Sequence, residues 1–317
     1  MTATIATIGE CLIDFTPIER RGVTTGFDLH PGGSPLNVAV AVARLGHPAA
    51  FAARVSTDLF GERIVAHLVE HGVGIDLVSR GGEPTTLAFV AYAGRDAVYS
   101  FRSENTADTL LSADDLDLAR FEALAALHFG SISLLHPTMA STVLGLARRL
   151  KGRVTLTFDP NVRPSLVGDW VMYAVVVREC LRLADLVRLS EEDMAAWRAG
   201  TGEDLLELAV ASGPVVVTRA ASGSDLYAGG ATLRVPGRPV AVVDTVGAGD
   251  AYMAGLLVGL HESGALDAVR TAAPDAARWR PAMEFGTAVA ALTCERRGAN
   301  PPTRAEAERS LRLEVPA

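Results

Sequence analysis

Seven residues, Asp244-Thr245-Val246-Gly247-Ala248-Gly249-Asp250, combine a glycine-rich turn with an acid at each end. An apolar run at 240–243 precedes them, and apolar residues at 253, 256, 257 and 260 follow at helical spacing. We therefore predict a short buried strand, the turn and then a helix. The N-terminus of a helix presents unpaired backbone N–H groups and partial positive charge, which suit a phosphate or a developing oxyanion. Asp250 is thus expected to lie beside an anion site.

A carboxylate beside a static anion would be repelled, whereas one that accepts a proton from an attacking hydroxyl belongs there. Asp250 is accordingly a candidate general base for phosphoryl transfer. The alternative is an ordinary acid that stabilises its own helix N-terminus by about 0.3 to 1 kcal/mol. In either case the position predicts a lowered pKa for Asp250, so that a hydroxyl would lose its proton late in the reaction.

A second glycine-rich stretch, residues 31–46, contains the pair Gly32-Gly33 and ends in another glycine. We predict a helix of small apolar residues here, with Ser34 as the N-cap residue and a proline directly after it. Asn37 falls near the first turn, beside glycines that would let a ligand approach the backbone. It is a candidate ligand contact, and the alternative is an amide that faces water.

Polar side chains also follow two predicted strands, at 4–9 and 154–158. Ligands of parallel α/β sheets bind at the carboxyl ends of the strands. Asp14 follows the first strand, and a buried turn-capping role is its alternative. The second strand is followed by Asp159, Asn161 and Arg163. The aspartate and asparagine are residue types common in turns, so only Arg163 favours anion binding.

The residues that begin the helix after strand 185–189 are Ser190, Glu191, Glu192 and Asp193. Acids at this position suit the helix dipole, and they are also the ligand type that a magnesium ion and its water shell prefer. Both interpretations stay open at this point.

Strand and helix patterns alternate along most of the chain, which predicts βαβ units and an α/β fold with a doubly wound, mostly parallel sheet flanked by helices. The final helix is predicted at 283–294. One hairpin, 85–92 with 97–101 around Gly94-Arg95-Asp96, is out of place in this rhythm. We predict that 12–32 and 85–104 form a small β lid on a single domain, 1–317. Arg102 would then lie at the base of the lid, within reach of a polar ligand.

Composition excludes several classes of protein. A net charge of −8 and a pI near 5.4 argue against a nucleic-acid or anionic membrane surface. The chain has one lysine, Lys151, in a polar loop, so a Walker A loop and the lysine of protein kinases are both absent. The three cysteines are far apart in sequence, which suggests neither disulfides nor a zinc site and fits a cytoplasmic protein. The sequence contains no run of about 18 apolar residues, so no membrane span is predicted.

A rival from another class is His67-Leu68-Val69-Glu70-His71, which matches the H-x-x-E-H pattern of inverted zinc peptidases. Helical periodicity predicts that His67, Glu70 and His71 lie on the solvated side of their helix. A zinc site also needs a third ligand and a cleft, and nothing downstream proposes one.

Together these stretches resemble the PfkB (ribokinase-like) family of carbohydrate kinases over nearly the whole chain. Residues 244–250 match its C-terminal signature, and Gly32-Gly33 with Asn37 through Gly46 matches its N-terminal one. The resemblance implies a ribokinase-like fold and phosphorylation of a sugar alcohol group by ATP. It implies that Asp250 is the base and that Gly247, Ala248 and Gly249 form the anion hole.

The resemblance also implies the remaining site residues. Sugar would contact Asp14, Gly32, Gly33, Asn37, Asp159 and Asn161, and Arg163 would neutralise phosphoryl charge. Arg102, from its place at the base of the predicted lid, is added to the expected sugar contacts. ATP would contact Ser190, Thr218, Gly223, Gly247, Gly249, Ala290 and Asn300. Magnesium would be held through water by Glu192 and Asp193, and a monovalent cation such as K⁺ would lie near Asp244. Two chains are expected to pair through the lid as a homodimer.

Two positions depart from the family pattern. Asp193 stands where ribokinases carry a longer glutamate, and Ala220 stands where the family has glycine, which restricts the backbone if a positive φ is needed. The segments 129–133 and 190–193 resemble fructokinases, so D-fructose is the predicted substrate. The alternatives are 2-keto-3-deoxygluconate or a nucleoside, and outside kinases a zinc peptidase, a dinucleotide oxidoreductase or a non-catalytic sugar-binding protein.

Overall fold

The computed structural model of the chain describes residues 4–93, 96–270 and 274–312. The strands are β1 (Ile5–Ile8), β2 (Leu12–Arg20), β3 (Val23–Gly32), β4 (Ala49–Ser56), β5 (Val78–Gly81), β6 (Thr86–Ala93), β7 (Asp96–Arg102), β8 (Ala126–Gly130), β9 (Thr155–Asp159), β10 (Leu186–Ser190), β11 (Val215–Thr218), β12 (Ser224–Ala228) and β13 (Ala231–Val235). The helices are α1 (Ser34–Arg44), α2 (Leu59–Glu70), α3 (Leu118–Glu122), α4 (Pro137–Leu150), α5 (Trp170–Leu183), α6 (Glu191–Thr201), α7 (Leu205–Val210), α8 (Ala248–Glu262), α9 (Ala276–Cys294) and α10 (Arg304–Arg312).

The central sheet has the strand order β13-β12-β11-β10-β9-β8-β1-β4-β5. Pairing is parallel from β11 to β5, and β12 and β13 extend the sheet in antiparallel fashion. The predicted doubly wound, mostly parallel sheet is confirmed. Because β1 lies between β8 and β4, the order of winding reverses there, and the carboxyl ends of these strands open a crevice suited to ligands.

Helices cover both faces of the central sheet because its strands are apolar on both sides. On one face, Phe158 of β9 and Trp197 of α6 are fully buried in the core that includes residues of α4, α5 and α6. On the other, Trp279 and Met253 belong to the core formed by α1, α8 and α9. No helix of the part that the structure describes is both long and apolar enough to cross a membrane.

A second sheet, with the order β3-β2-β6-β7, contains the two segments expected to form the lid. The turn Gly94-Arg95 of the predicted hairpin lies outside the described residues, and its two strands pair as expected. Phe15 of β2 stacks on Phe89 of β6 at 4.7 Å between ring centroids. Phe15 also meets Phe60 of α2 edge to face at 5.6 Å, which joins this sheet to the helical layer. That the sheet moves as a lid stays a prediction.

Three local predictions differ from the structure. Residues 240–243 are not a strand: Val242 and Val243 are 62% and 58% exposed, and the N–H of Val243 donates to the Cys294 carbonyl instead of a strand partner. The N-cap of α1 is Gly33, one residue before the expected Ser34. The last long helix, predicted from 283, begins at Ala276 and continues through Pro281, because the buried Trp279 packs its first turns onto the core in spite of the hydrogen bond that the proline cannot donate.

Candidate active site

The glycine-rich turn at 247–250 begins α8, as predicted. Gly247 is the N-cap residue with φ 75°, a left-handed conformation that favours glycine. The N–H of Ala248 donates to the Thr245 carbonyl at 3.2 Å. Within the described residues, the N–H groups of Gly247, Gly249 and Asp250 have no hydrogen-bond acceptor. Of the expected anion hole, Gly247 and Gly249 thus have N–H groups that could meet an anion, whereas that of Ala248 is already engaged.

Asp250 is half-buried, and both of its carboxylate oxygens accept hydrogen bonds from α1. Ser34 Oγ donates to Oδ1 at 2.7 Å, and Asn37 Nδ2 donates to Oδ2 at 2.8 Å. Burial raises the pKa of Asp250 to about 6, and the negative charge of Asp159 adds to the rise. The predicted lowering is wrong, because loss of solvation outweighs the two hydrogen bonds and the helix N-terminus.

Ser34 was assigned only a capping role from the sequence, and its place is set by Glu10. The carboxylate of Glu10 is buried and accepts hydrogen bonds from the N–H of Ser34 at 3.0 Å and from the N–H of Ser133 at 3.2 Å. Burial raises the pKa of Glu10. Sequence reasoning missed this role, although an acid within the apolar start of the chain was a visible signal.

Asp14 lies on β2, between β3 and β6 of the second sheet. Its side chain is half-buried, and it accepts no hydrogen bond from any residue that the structure describes. Burial raises the pKa of Asp14 to about 6. A Cβ at Gly32 would lie 2.4 Å from its Oδ2, so that glycine is needed for close packing of the carboxylate.

Gly33 connects the second sheet to α1 with φ 115°. A Cβ there would lie 2.5 Å from the carbonyl oxygen of Glu10. Backbone conformation and a close backbone contact therefore both demand glycine. The glycine pair thus brings Asp14, Asn37 and Asp250 to one end of the central sheet.

The segment after β9 supplies the side of the site that faces Asp250. Asp159 is buried and accepts the N–H of Asn161 at 3.0 Å, and Asn161 donates through Nδ2 to Ser131 Oγ at 3.2 Å. Arg163 is exposed, with Nη1 donating to the carbonyls of 161 and 162. Its charge acts on Asp250 to lower that pKa, against the effect of burial. Arg163 is thus within electrostatic reach of the base.

Thr218 ends β11 beside Ser190 of β10. Its hydroxyl donates to the Leu189 carbonyl at 3.3 Å and accepts a hydrogen bond from Arg188. Ala220 has φ 44°, so the alanine adopts the left-handed conformation for which the family pattern has glycine. Gly223 is buried, and a Cβ there would lie 2.1 Å from the Val235 carbonyl. The backbone of Gly223 is thus enclosed by protein, whereas Thr218 is half-buried and more accessible to a ligand.

The C-terminal turn lies directly against the anion hole. A Cβ at Gly247 would lie 2.6 Å from the Cβ of Ala299. Asp244 joins the two turns, because Oδ2 accepts the N–H of Gly298 at 2.8 Å and Oδ1 accepts that of Val246 at 3.1 Å. Asn300 is exposed, and Ala290 of α9 is half-buried.

The two expected magnesium residues differ in their surroundings. Asp193 is buried and caps α6: its carboxylate accepts the N–H of Val162 at 2.6 Å and both the N–H and the hydroxyl of Ser190. Glu192 is exposed. In the described ranges, no three His, Cys, Asp or Glu side chains are arranged to hold a metal ion. Asp193 thus has a capping role in this structure, and a contact of either acid with magnesium through water stays a prediction.

Two further candidates lie away from this cluster. Arg102 is exposed at the end of β7 and donates to Ser100 Oγ and the Phe101 carbonyl. His67 and His71 meet edge to face at 4.5 Å at the end of α2, where burial lowers the pKa of both. Neither histidine belongs to a set of metal ligands in the described part of the chain.

A carboxylate of raised pKa beside unpartnered N–H groups, at the crevice of a doubly wound sheet, defines a phosphotransferase acting on a hydroxyl group. The model of the pfkB family of carbohydrate kinases matches residues 2–306. The chain belongs to this family. The prediction of a carbohydrate kinase is confirmed over the zinc-peptidase, oxidoreductase and non-catalytic alternatives.

Known fructokinases resemble the chain over most of its length. A fructokinase of Rhizobium leguminosarum bv. trifolii is 34% identical over 256 residues, covering 80% of this chain and 78% of that protein. The structure of Xylella fastidiosa fructokinase with bound ATP superposes with a TM-score of 0.90 at 28% identity, covering all of both chains. A double mutant of Vibrio cholerae O395 fructokinase, with fructose, ADP and potassium bound, gives 0.84 at 26% identity and covers 98% of each.

Proposed function

We propose that this chain is an ATP-dependent fructokinase that converts D-fructose to fructose 6-phosphate. The observation that carries the chemistry is Asp250, held by Ser34 and Asn37 beside the free N–H groups of the turn. The choice of fructose is supported by the fructokinase names of the similar proteins and by the fructose bound to the Vibrio cholerae protein.

In this proposal the sugar lies between the second sheet and the N-terminus of α8. Asp14 and Asn37 hold hydroxyl groups, and the primary hydroxyl faces Asp250. With a pKa near 6, Asp250 is mostly ionised at neutral pH and is a stronger base than an ordinary aspartate. It accepts the proton as the oxygen-phosphorus bond forms. The N–H groups of the turn and Arg163 stabilise the charge that develops on the transferred phosphoryl group.

ATP is assigned to the other side of the turn, against Thr218, Ser190, Ala290 and the turn before Asn300. The described residues offer no preformed metal cage, so a divalent cation such as Mg²⁺ belongs to the nucleotide as its phosphate complex. A potassium ion near Asp244 would brace the contact between the two turns. Activity measured in potassium and in tetramethylammonium salts tests that part, and equal rates would contradict it.

The substrate is tested by a coupled ADP-release assay with D-fructose, 2-keto-3-deoxygluconate, ribose and adenosine. We expect kcat/KM to be highest for fructose. The keto-sugar acid is the runner-up because Arg102 and Arg163 are exposed guanidinium groups that could meet a carboxylate. A preference of tenfold or more for another compound on the panel would replace fructose as the substrate.

The base assignment is tested with Asp250→Asn, which keeps size and polarity but cannot accept the proton. We expect kcat to fall by orders of magnitude with little change in KM or thermal stability. The matched control is Asp169→Asn, another aspartate at a helix N-terminus, whose carboxylate accepts the N–H of Val171 and Met172. A variant retaining more than about a tenth of wild-type kcat, a difference of about 1.4 kcal/mol, would rule out Asp250 as the base.

The proposed assembly is a homodimer through the second sheet, on one domain spanning 1–317. It is supported by exposed apolar side chains on β3, Val23 and Phe27. Light scattering with size-exclusion chromatography should give twice the chain mass of 33.2 kDa. Val23→Lys together with Phe27→Lys should convert the dimer to a monomer. A wild-type protein of 33.2 kDa at micromolar concentration would contradict this assembly.

A further inference from the structure

Arg188 lies at the centre of the site although none of the sequence motifs includes it. It belongs to β10, and its side chain is only 9% exposed. Nη1 donates to Asp159 Oδ2 at 2.9 Å, and Nη2 donates to Thr218 Oγ1. One guanidinium group therefore joins the end of β9, which carries the sugar-side polar residues, to the end of β11, which carries the nucleotide-side threonine.

The same guanidinium lies directly beneath the anion hole. A Cβ built at Gly249 would be 2.9 Å from Nη1 and 3.0 Å from Nη2. Any side chain at 249 would therefore push the arginine away from Asp159 and Thr218. This contact gives Gly249 a second role besides the N–H group that it presents, and it makes Arg188 part of the support for the turn.

The charge of Arg188 acts on the whole cluster of acids. Burial opposes ionisation of the guanidinium, but the negative charges of Asp159 and Asp193 outweigh it and the pKa of Arg188 is raised. Asp250 adds to this rise, so the arginine is also within electrostatic reach of the base. The charged groups that face Asp250 are thus Asp159 from β9, Arg163 from the segment after it and Arg188 from β10.

The third nitrogen of the Arg188 guanidinium group, Nε, takes no part in these contacts. It is buried and has no hydrogen-bond partner among the residues that the structure describes. A buried donor without an acceptor is unfavourable. The chain's one lysine contributes no positive charge to the site, because Lys151 is bound to Asp185 and to the carbonyls of 183 and 184.

We propose that Arg188 is a positioning residue for phosphoryl transfer, which orients Thr218 and Asp159 and holds a fixed positive charge beneath the turn at 247–250. The inference rests on the proposed kinase mechanism and adds a residue to it. Arg188 does not touch the reacting atoms. It acts through the hydroxyl that meets the nucleotide, through the backbone of Gly249 and through its field on Asp250 and the transferred phosphoryl group.

The test compares Arg188→Met and Arg188→Lys with the wild type, using whichever panel compound the wild type phosphorylates best. For Arg188→Met we expect kcat to fall about a hundredfold and KM for ATP to rise. The acid limb of the kcat profile should move to higher pH, because loss of the nearby cation favours the protonated form of Asp250. KM for the sugar should rise less than KM for ATP, because Asp159 also accepts the N–H of Asn161.

Arg188→Lys retains the charge but cannot bridge Asp159 and Thr218 with a planar fork. We expect it to restore the acid limb and part of kcat while ATP binding, measured by calorimetry without sugar, stays weaker than in the wild type. The matched control is Arg54→Met. Arg54 of β4 is another partly buried arginine, and it forms ion pairs with two acids, Glu83 and Asp115. Arg54→Met should lower thermal stability and leave the pH profile unchanged.

An Arg188→Met variant with kcat within threefold of wild type and an unmoved acid limb would make Arg188 a structural residue and overturn the proposal. Should that variant not fold, Arg188→Lys decides: wild-type kcat and wild-type ATP affinity in the lysine variant also overturn it. If the wild type phosphorylates no compound on the panel, the proposed substrate class fails separately. The calorimetric comparison of ATP affinity then still tests Arg188.

Discussion

At the scale of single residues, the base is defined by its neighbours more than by its position on a helix. Asp250 has a pKa of about 6 because burial outweighs the hydrogen bonds from Ser34 and Asn37. Asn37 is also the residue expected to hold the sugar, so a bound hydroxyl would compete for Oδ2. Ser34 would then be the contact that keeps the carboxylate oriented.

Ser34→Ala removes the donor to Oδ1 and leaves the backbone contact with Glu10 intact. A hydrogen bond to a charged group is worth about 1.5 to 3 kcal/mol, so we expect kcat at pH 7 to fall roughly tenfold or more. The acid limb should move above pH 6, because the lost bond favoured the ionised form. Ser141→Ala, which removes an exposed serine on α4, is the control. An acid limb that does not move would show that Ser34 leaves the base unaffected.

Ala220 carries strain that the family's glycine would not. The left-handed conformation costs an L-residue about 1 to 2 kcal/mol, and a glycine at 220 would remove this cost. Glycine also has more conformational freedom in the unfolded chain, which offsets part of that stabilisation. We expect Ala220→Gly to raise the free energy of unfolding by about 0.5 to 1 kcal/mol in urea denaturation. ATP affinity should stay within twofold, because the alanine already has the required conformation. Ala221→Gly, the next residue of the same 3₁₀ turn, should be destabilising instead, and equal effects at both positions would contradict the strain argument.

At the scale of elements, α8 and α9 form the platform that carries the catalytic turn. They pack at backbone distance through glycines: a Cβ at Gly255 would lie 2.8 Å from the Cα of Gly286, and one at Gly259 would lie 2.7 Å from the Cα of Ala282. The turn at 247–250 is thus held at the end of a rigid pair of helices. A small outward shift of α8 would move Asp250 away from Ser34 and Asn37.

Gly255→Ala should therefore be unfavourable although alanine is the better helix former. Overpacking of this kind costs about 1 to 3 kcal/mol, and we expect both the free energy of unfolding and kcat to fall. Gly145→Ala on α4 is the matched control, because a Cβ there meets no atom within 4 Å. That variant should be more stable than wild type by about 0.4 to 1 kcal/mol with unchanged kcat. Stabilisation by Gly255→Ala would disprove the close packing of the two helices.

At the scale of the whole molecule, the site joins two sheets and includes carboxylates that weaken the fold. Asp14 comes from the second sheet and Asp250 from a helix on the central one, and burial raises the pKa of each to about 6. A raised pKa means that the folded state binds protons more tightly than the unfolded state, for which the value is about 3.9. The associated stability is present below about pH 4 and is lost as the pH rises through 6.

Asp14→Asn removes the buried charge and should raise the free energy of unfolding by about 1 to 3 kcal/mol at pH 8, with no gain at pH 4. The same substitution should raise KM for the sugar, which is the expected conflict between stability and activity. Asp28→Asn, on the exposed neighbouring strand β3, should change neither quantity. Urea denaturation at the two pH values measures the effect, and equal gains at pH 4 and pH 8 would contradict it.

Local patterns of residues were enough to predict the central sheet and the two glycine-rich segments. Alternating apolar strands and helices predicted the doubly wound sheet, since hydrophobic periodicity reports which faces are buried. The two glycine signatures identified the turn and its partner helix, because positive φ angles and close backbone contacts leave little choice of residue. The strand predicted at 240–243 was wrong, because a short apolar run does not show whether another strand lies beside it to pair with.

Features that depend on residues far apart in the sequence became visible in the folded chain. Arg188 was invisible within an apolar strand because its partners, Asp159 and Thr218, come from two other strands. The sequence likewise did not indicate that the carboxylate of Asp193 accepts the N–H of Val162, which comes from the segment after β9. The pKa of Asp250 rises because side chains from the whole domain exclude water from it, and no local pattern records how much solvent a folded chain removes.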